Sequence, residues 1–276
     1  AQRLKDLVKI AVGDTPRLIV LSAMSGTTNA LVEIGALLYA GEKDKATAAI
    51  ASLRKRYEAV VNELFSTPEW RKKGEQLVEA HFKYLESFTL DMFTVNEEKA
   101  ILAQGELLST ALFNFYLGQE GISSVLLPAL NVMKLDANEE PDMAHIQKYL
   151  LQEIEAHKNE RVFITQGYIC RNAFGEIDNL KRGGSDYTAS ILGAALGSPE
   201  IQIWTDVTGV LTADPCVVPQ AQTVERLSYG EAAELAYFGA KILHPASIWP
   251  AQFYKVPVKL LNTMQPEAKG TTIKEE

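Results

Sequence analysis

Two cysteines in 276 residues, Cys170 and Cys216, are too few for a disulfide framework, and their spacing matches no metal-ligand pattern. No apolar run approaches the ~20 residues that a membrane span requires, and no charged-then-apolar leader stands at the start. Gly/Ser-rich linkers, low-complexity tracts and internal repeats are also missing. Positive charge is the scarcer sign: 27 Lys and Arg face 35 Asp and Glu, a formal net charge of −8. That balance argues against nucleic acid, whose phosphates are neutralised by Lys and Arg. It also gives each cation near a bound anion more weight. These absences predict a reducing, cytoplasmic home with neither nucleic acid nor membrane among the partners.

What is present is ordinary for a globular protein, 47% hydrophobic and 22% charged. A chain of this length can bury a large core, as one α/β domain or as two smaller lobes. Leu4, Leu7, Val8 and Ala11 fall at helical spacing, so the chain is expected to open inside a helix, with something upstream missing or cleaved. The apolar run 17–24 (RLIVLSAM), bounded by turn residues, predicts a buried strand. Thr27 or Thr28 is then expected to cap a helix through Tyr39. Residues 44–121 predict three helices, one starting near Pro68 and one opened by a capping box of Thr94 and Glu97. Further on, strands are predicted over 122–128, 161–166, 201–206 and 256–261, with a hairpin tip at 175–178. Helices are predicted over 142–157, over 185–197, and from a second capping box of Ser228 and Glu231 to Phe238. Such alternation predicts a mostly parallel sheet covered on both faces, with ligands beyond the carboxyl ends of its strands.

Five polar clusters are candidates for chemistry. Lys181-Arg182-Gly183-Gly184-Ser185-Asp186 runs straight into an apolar helix. Two glycines let backbone amides approach an anion, a helix N-terminus adds partial positive charge, and Arg182 supplies a planar donor fork. Simple capping by Ser185 or Asp186 is the alternative. Gln104-Gly105-Glu106 places a glycine inside a helix, at a cost of ~1 kcal/mol against alanine, which marks close approach by another backbone or a ligand. Glu106 there is either a partner for an ammonium group or an exposed helical acid. The turn over 22–29 (SAMSGTTN) is rich in hydroxyls. Asp206 ends a strand where a sugar hydroxyl or metal could be met, or simply a turn. Lys241 and His244-Pro245 close a helix, where a lysine suits the dipole and a histidine before proline is commonly a packed turn residue.

In this order, the clusters resemble the aspartokinases of the amino-acid kinase family. The matching strings are VLSAMSGTTN (20–29), QGELLST (104–110), ITQGY (164–168), RGGSDYTA (182–189), IWTDVTGV (203–210) and YFGAKILHP (237–245). The resemblance runs essentially from end to end. It implies a three-layer α/β/α sandwich around a mostly parallel sheet, forming a single catalytic domain over 1–276. Within it, residues to about 160 would be an amino-acid-binding lobe and those from about 161 an ATP-binding lobe. It further implies that Thr28, Glu106, Arg182, Gly183, Gly184 and Ser185 hold L-aspartate. Thr205, Asp206, Leu211, Lys241 and Ile242 would lie against ATP, with Asp186 and Lys241 as catalytic groups and Mg²⁺ as the accompanying cation. No protein-held metal centre is implied, and a homodimer is admitted among the partners.

The implied reaction is transfer of a phosphoryl group from ATP to a carboxylate. Such a nucleophile has a pKa of ~4 and is already ionised at neutral pH, so no general base is required. The obstacle is bringing one anion to another, which calls for charge neutralisation and in-line positioning. Asp186 is accordingly read as an organiser of cations or substrate, not as a proton acceptor. The sequence departs from the family in three places. An opening strand with a Lys-Phe-Gly-Gly-Thr-Ser loop has no counterpart here. Leu211 and Cys216 stand where the family carries Tyr and Arg. The C-terminal regulatory domains are also without a counterpart. Two other readings follow: a kinase of another acidic amino acid, and an impaired fragment or binding subunit.

Overall fold

The computed structural model describes residues 1–275 apart from Asp91, Arg182, Pro215, Lys241 and Ile242. In chain order the elements begin with α1 (Gln2–Ala11), β1 (Arg17–Leu21), α2 (Thr27–Tyr39), α3 (Lys43–Leu64), α4 (Pro68–Ser87) and α5 (Val95–Gln119). There follow β2 (Val125–Leu127), α6 (Ala129–Val132), α7 (Met143–Ala156), β3 (Val162–Gln166), β4 (Ile169–Arg171) and β5 (Ile177–Asn179). The chain then forms α8 (Gly184–Leu196), β6 (Ile201–Thr205), β7 (Arg226–Leu227), α9 (Tyr229–Tyr237), α10 (Pro245–Phe253), β8 (Val258–Asn262) and β9 (Thr271–Ile273). They gather into two compact units. One holds 1–140 and 155–179, the other 141–154 and 180–276. Residues 155–179 therefore pack with the first unit, and the uninterrupted part of the second begins at Leu180.

In the first unit, β1, β3 and β2 form a parallel sheet in that order, with Leu18 opposite Phe163 and Val125 also opposite Phe163. All five residues of β3 are buried, as expected of a central parallel strand with no solvent face. Helix α5 is enclosed by this sheet and by α2 and α4, and is buried on nearly every side from Ala100 to Phe113. Its polar residues Gln104, Glu106, Ser109 and Thr110 are therefore inside the unit, where each needs a partner. The predicted capping box at Thr94 and Glu97 is present in both directions. Leu31 and Ile34 of α2, Tyr57 and Val61 of α3, and Val78 and Phe82 of α4 share one core with α5. Full burial of each such side chain stabilises by roughly 1.5–3 kcal/mol.

The second unit holds a four-stranded sheet in the order β6-β8-β9-β7. β6 runs parallel to β8 and β7 parallel to β9, while β8 and β9 are antiparallel. Helix α8 sits directly on β6: a Cβ at Gly193 would lie 2.3 Å from Ile201 Cγ1. The predicted box at Ser228 and Glu231 opens α9, and Tyr229 Oη donates to Val256 O at 2.7 Å. The fold is α/β, as expected. Among the described residues no helix is long and apolar enough to cross a membrane.

Candidate active site residues in each unit

In the first unit the candidate residues gather where β1 ends. The strand stops at Leu21, earlier than expected, and residues 22–26 turn into α2. Neither Thr27 nor Thr28 caps this helix. The N-cap is Gly26, at φ +75° and without a side-chain cap. A left-handed N-cap costs little only for glycine, and it leaves both threonine hydroxyls for other work. Thr28 is exposed in the first turn of α2, while Thr27 is buried.

Gly105 explains how α5 meets this turn. A Cβ there would lie 2.7 Å from Ala23 Cβ and 3.3 Å from Thr27 Cγ2, so only glycine admits so close an approach. Two hydrogen bonds exploit it. Ala23 N–H donates to Glu106 Oε1 at 3.2 Å, and Ser109 Oγ donates to Ser22 O at 2.7 Å. Glu106 is thus no exposed helical acid. It is 4% exposed, and its Oε2 is buried with no hydrogen-bond partner. Burial pushes its carboxyl up to about 7, only partly offset by the Ala23 amide. A buried carboxylate with one satisfied and one orphaned oxygen is an incomplete ion pair. A ligand ammonium would complete it.

In the second unit, α8 begins at the Gly-Gly pair. Gly183 (φ +69°) is the N-cap, again without a side-chain cap, and Gly184 follows at φ +51° with open space around it. Capping by Ser185 or Asp186 is therefore not what opens this helix, and its first amides remain available to an anion. Gly183 is also needed for packing, because a Cβ there would meet Ser247 Oγ of α10 at 2.4 Å. Asp186 is half-buried, and burial raises its carboxyl above the ordinary range. The end of α8 packs at Gly193 against Ile201 at the head of β6, and β6 runs from there to Thr205. Thr205 Oγ1 donates to Asp206 Oδ1 at 3.2 Å, and Asp206 is exposed. Leu211 is half-buried and bridges Thr223 beyond that strand end. His244 proves to be a helix cap: its Nδ1 accepts from Ala246 N–H at 3.1 Å at the head of α10. Arg182, Lys241 and Ile242 lie outside the described residues. Among the described residues there is no cluster of three or more metal-ligating side chains.

The sequence reading missed the partners of the 22–28 turn. Ser109, Arg56 and Tyr57 all bond it, yet Tyr57 sits in an apolar stripe with Leu53 and Val61 that reads as plain core.

These features define an α/β protein with a buried, unpaired carboxylate in one unit and an uncapped glycine-led helix start in the other. Comparison with known proteins agrees with that class. The amino acid kinase family profile matches residues 1–262. The chain belongs to the amino acid kinase family. It is 35% identical over 260 residues to lysine-sensitive aspartokinase 3 of Escherichia coli (strain K12), covering 93% of this chain and 57% of that protein. It is 34% identical over 290 residues to chloroplastic aspartokinase 2 of Arabidopsis thaliana, covering 99% of this chain and 52% of that one. The solved structure of E. coli aspartokinase III in complex with aspartate and ADP aligns with a TM-score of 0.83 at 33% identity, covering 100% of this chain and 61% of the other. The chain thus spans little more than half the length of these relatives.

Proposed function

We propose that the chain carries the catalytic part of an aspartate kinase, converting ATP and L-aspartate to ADP and 4-phospho-L-aspartate, the entry step toward lysine, threonine and methionine. The observation that carries the reading is Glu106, a buried carboxylate with one oxygen held by Ala23 N–H and the other unpartnered. A free α-ammonium satisfies it, which selects an amino acid over an N-acylated acid or a plain dicarboxylate. The likeness to aspartokinases, and the aspartate and ADP bound in the E. coli structure, support the same choice. On this reading the unit built on α5 is the amino-acid-binding lobe, and the unit built on α8 and β6 is the nucleotide-binding lobe.

The chemistry follows from the charges. A side-chain carboxylate oxygen of aspartate attacks the γ-phosphorus, and the bond to the bridging oxygen breaks with its electron pair leaving on ADP. No proton moves in this step, so the protein need only hold the partners in line and offset their repulsion. Thr28 and Ser185 offer hydroxyls to the substrate, and the amides that open α8 at Gly184 offer an anion site. Thr205, Asp206 and Leu211 are assigned to the nucleotide. For Arg182 on a substrate carboxylate, and for Lys241 and Ile242 on the nucleotide, the support is the family resemblance. Asp186, half-buried in the first turn of α8, would be the single acidic ligand that Mg²⁺ takes alongside phosphate oxygens. When bound, Mg²⁺ neutralises phosphate charge. The test is ATP-dependent hydroxamate formation from aspartate, with glutamate and N-acetylaspartate as controls. Product from aspartate alone is expected. Product from N-acetylaspartate would remove the basis for the Glu106 assignment.

A further inference from the structure

The turn that carries Thr28 is held from two sides, and the second side belongs to no part of the proposed substrate site. From α5, Glu106 Oε1 accepts from Ala23 N–H and Ser109 Oγ donates to Ser22 O. From α3, two consecutive residues reach the next stretch of the same turn. Arg56 Nη2 donates to Ser25 O at 2.9 Å. The Tyr57 hydroxyl lies 3.1 Å from Thr27 Oγ1, with both residues 1% exposed. These contacts bracket Gly26, the one residue of the turn in the left-handed region, at φ +75°. The Arg56 guanidinium also stands 3.5 Å from where a Gly26 Cβ would be, filling the space beside it. Burial pushes the Tyr57 phenol up to about 12, so it stays a neutral hydrogen-bonding group throughout the physiological range.

We infer that Arg56 and Tyr57 are positioning residues, an α3 clamp that fixes the 22–28 turn in the conformation that presents Thr28 and the Ala23 amide to the amino-acid site. Neither is assigned a contact with substrate. Their effect passes through Ser25 O and Thr27 Oγ1 to the two groups on either side of Gly26. With the clamp released, the turn can pivot at Gly26. Ala23 N–H then leaves Glu106 Oε1, and the carboxylate loses a donor that orients Oε2 toward a ligand. The cost should appear in amino-acid binding, because the clamp's hydrogen bonds go to the turn that carries Thr28.

The inference rests on the aspartate kinase reading for its kinetic half, so the experiment carries a second readout that does not. Tyr57→Phe removes only the hydroxyl and keeps the ring against Phe82, 5.8 Å away between centroids. Arg56→Met keeps the aliphatic stem and removes the donor. For each variant, amide hydrogen exchange over residues 23–28 is measured alongside the KM values for aspartate and ATP. The expected result is an about three- to tenfold rise in aspartate KM per variant, the size of one lost hydrogen bond. Unchanged kcat and ATP KM should accompany it, with faster exchange confined to the turn. A folded Tyr57→Phe and a folded Arg56→Met that both retain wild-type exchange in the turn would overturn the clamp. So would faster exchange with an unmoved aspartate KM. If the wild-type protein phosphorylates no aspartate, the functional reading fails by itself, and exchange in the turn still decides whether the clamp exists.

Discussion

Gly105→Ala tests the close approach on which the first cluster depends. The new methyl would meet Ala23 Cβ at 2.7 Å and Thr27 Cγ2 at 3.3 Å. Carbon atoms in contact prefer about 3.5–4.0 Å, so α5 and the turn must part by roughly 1 Å at this point. The Ala23 N–H to Glu106 Oε1 bond, already 3.2 Å long, would then stretch to ~4 Å, beyond hydrogen-bonding range. Alanine recovers ~1 kcal/mol of helix propensity in α5. Against it stand an overpacking cost of about 1–3 kcal/mol and a lost bond to a charged acceptor of about 1.5–3 kcal/mol. The net loss is about 1.5–5 kcal/mol, which for a domain of this size lowers Tm by roughly 3–20 °C. The functional mark is more specific. Aspartate KM should rise at least ~10-fold with ATP KM unmoved, as measured by a coupled ADP-release assay alongside a thermal melt. A variant with raised Tm and unchanged aspartate KM would show that helix propensity decides this position and would refute the close-approach argument.

Other consequences are as direct. Because the folded protein holds the Glu106 carboxyl up to about 7 from an ordinary value of 4.5, the folded state binds a proton more tightly than the unfolded chain. This destabilisation is absent below about pH 4.5, grows as pH rises, and is complete above about pH 7, at roughly 3 kcal/mol. Glu106→Gln should therefore raise Tm at pH 8.5 and leave it nearly unchanged at pH 4.5, and the reverse pattern would contradict the burial argument. By the same sign, calorimetry should show aspartate binding tightening as pH rises from 6 to 8, with proton release near pH 7. Asp186→Asn should lower kcat by about 100-fold while moving aspartate KM little, in keeping with a group that organises charge in the transition state; an effect confined to KM would remove that role. Lys99 Nζ meets the buried carboxylate of Asp178 at 2.8 Å, joining α5 to β5. Lys99→Met strands that charge and should cost about 2–4 kcal/mol in urea unfolding; an unchanged midpoint would show the pair to be dispensable.

What the sequence disclosed depended on whether the determining contacts were local. The apolar runs at 17–24 and 161–166 hold β1 and β3, the first strand ending three residues early, and the two capping boxes formed as read, because their donors and acceptors lie within three residues. The glycine inside α5 correctly signalled a close approach, but its partner Ala23 lies 83 residues from Glu106 and left no local mark. The same distance hid the burial of Glu106. Short strands such as β7, two residues long, exist only through pairing with β9 and have no periodicity of their own to detect. The start of α2 was misassigned to a threonine cap, and a Ser185 or Asp186 cap for α8, weighed as the alternative to an anion site, is not formed. In both, a glycine in the left-handed region takes that place, and Thr28, Ser185 and Asp186 are left free of capping duty.

The central claim is that Glu106 receives the ammonium group of aspartate, and steady-state kinetics of Glu106→Gln at pH 8 test it most directly. Losing one partner of a buried ion pair costs about 2–5 kcal/mol. The expected result is that kcat/KM for aspartate falls by roughly 30- to 4,000-fold, through aspartate KM, with ATP KM unchanged. A glutamine variant that binds and turns over aspartate as the wild type does would contradict it.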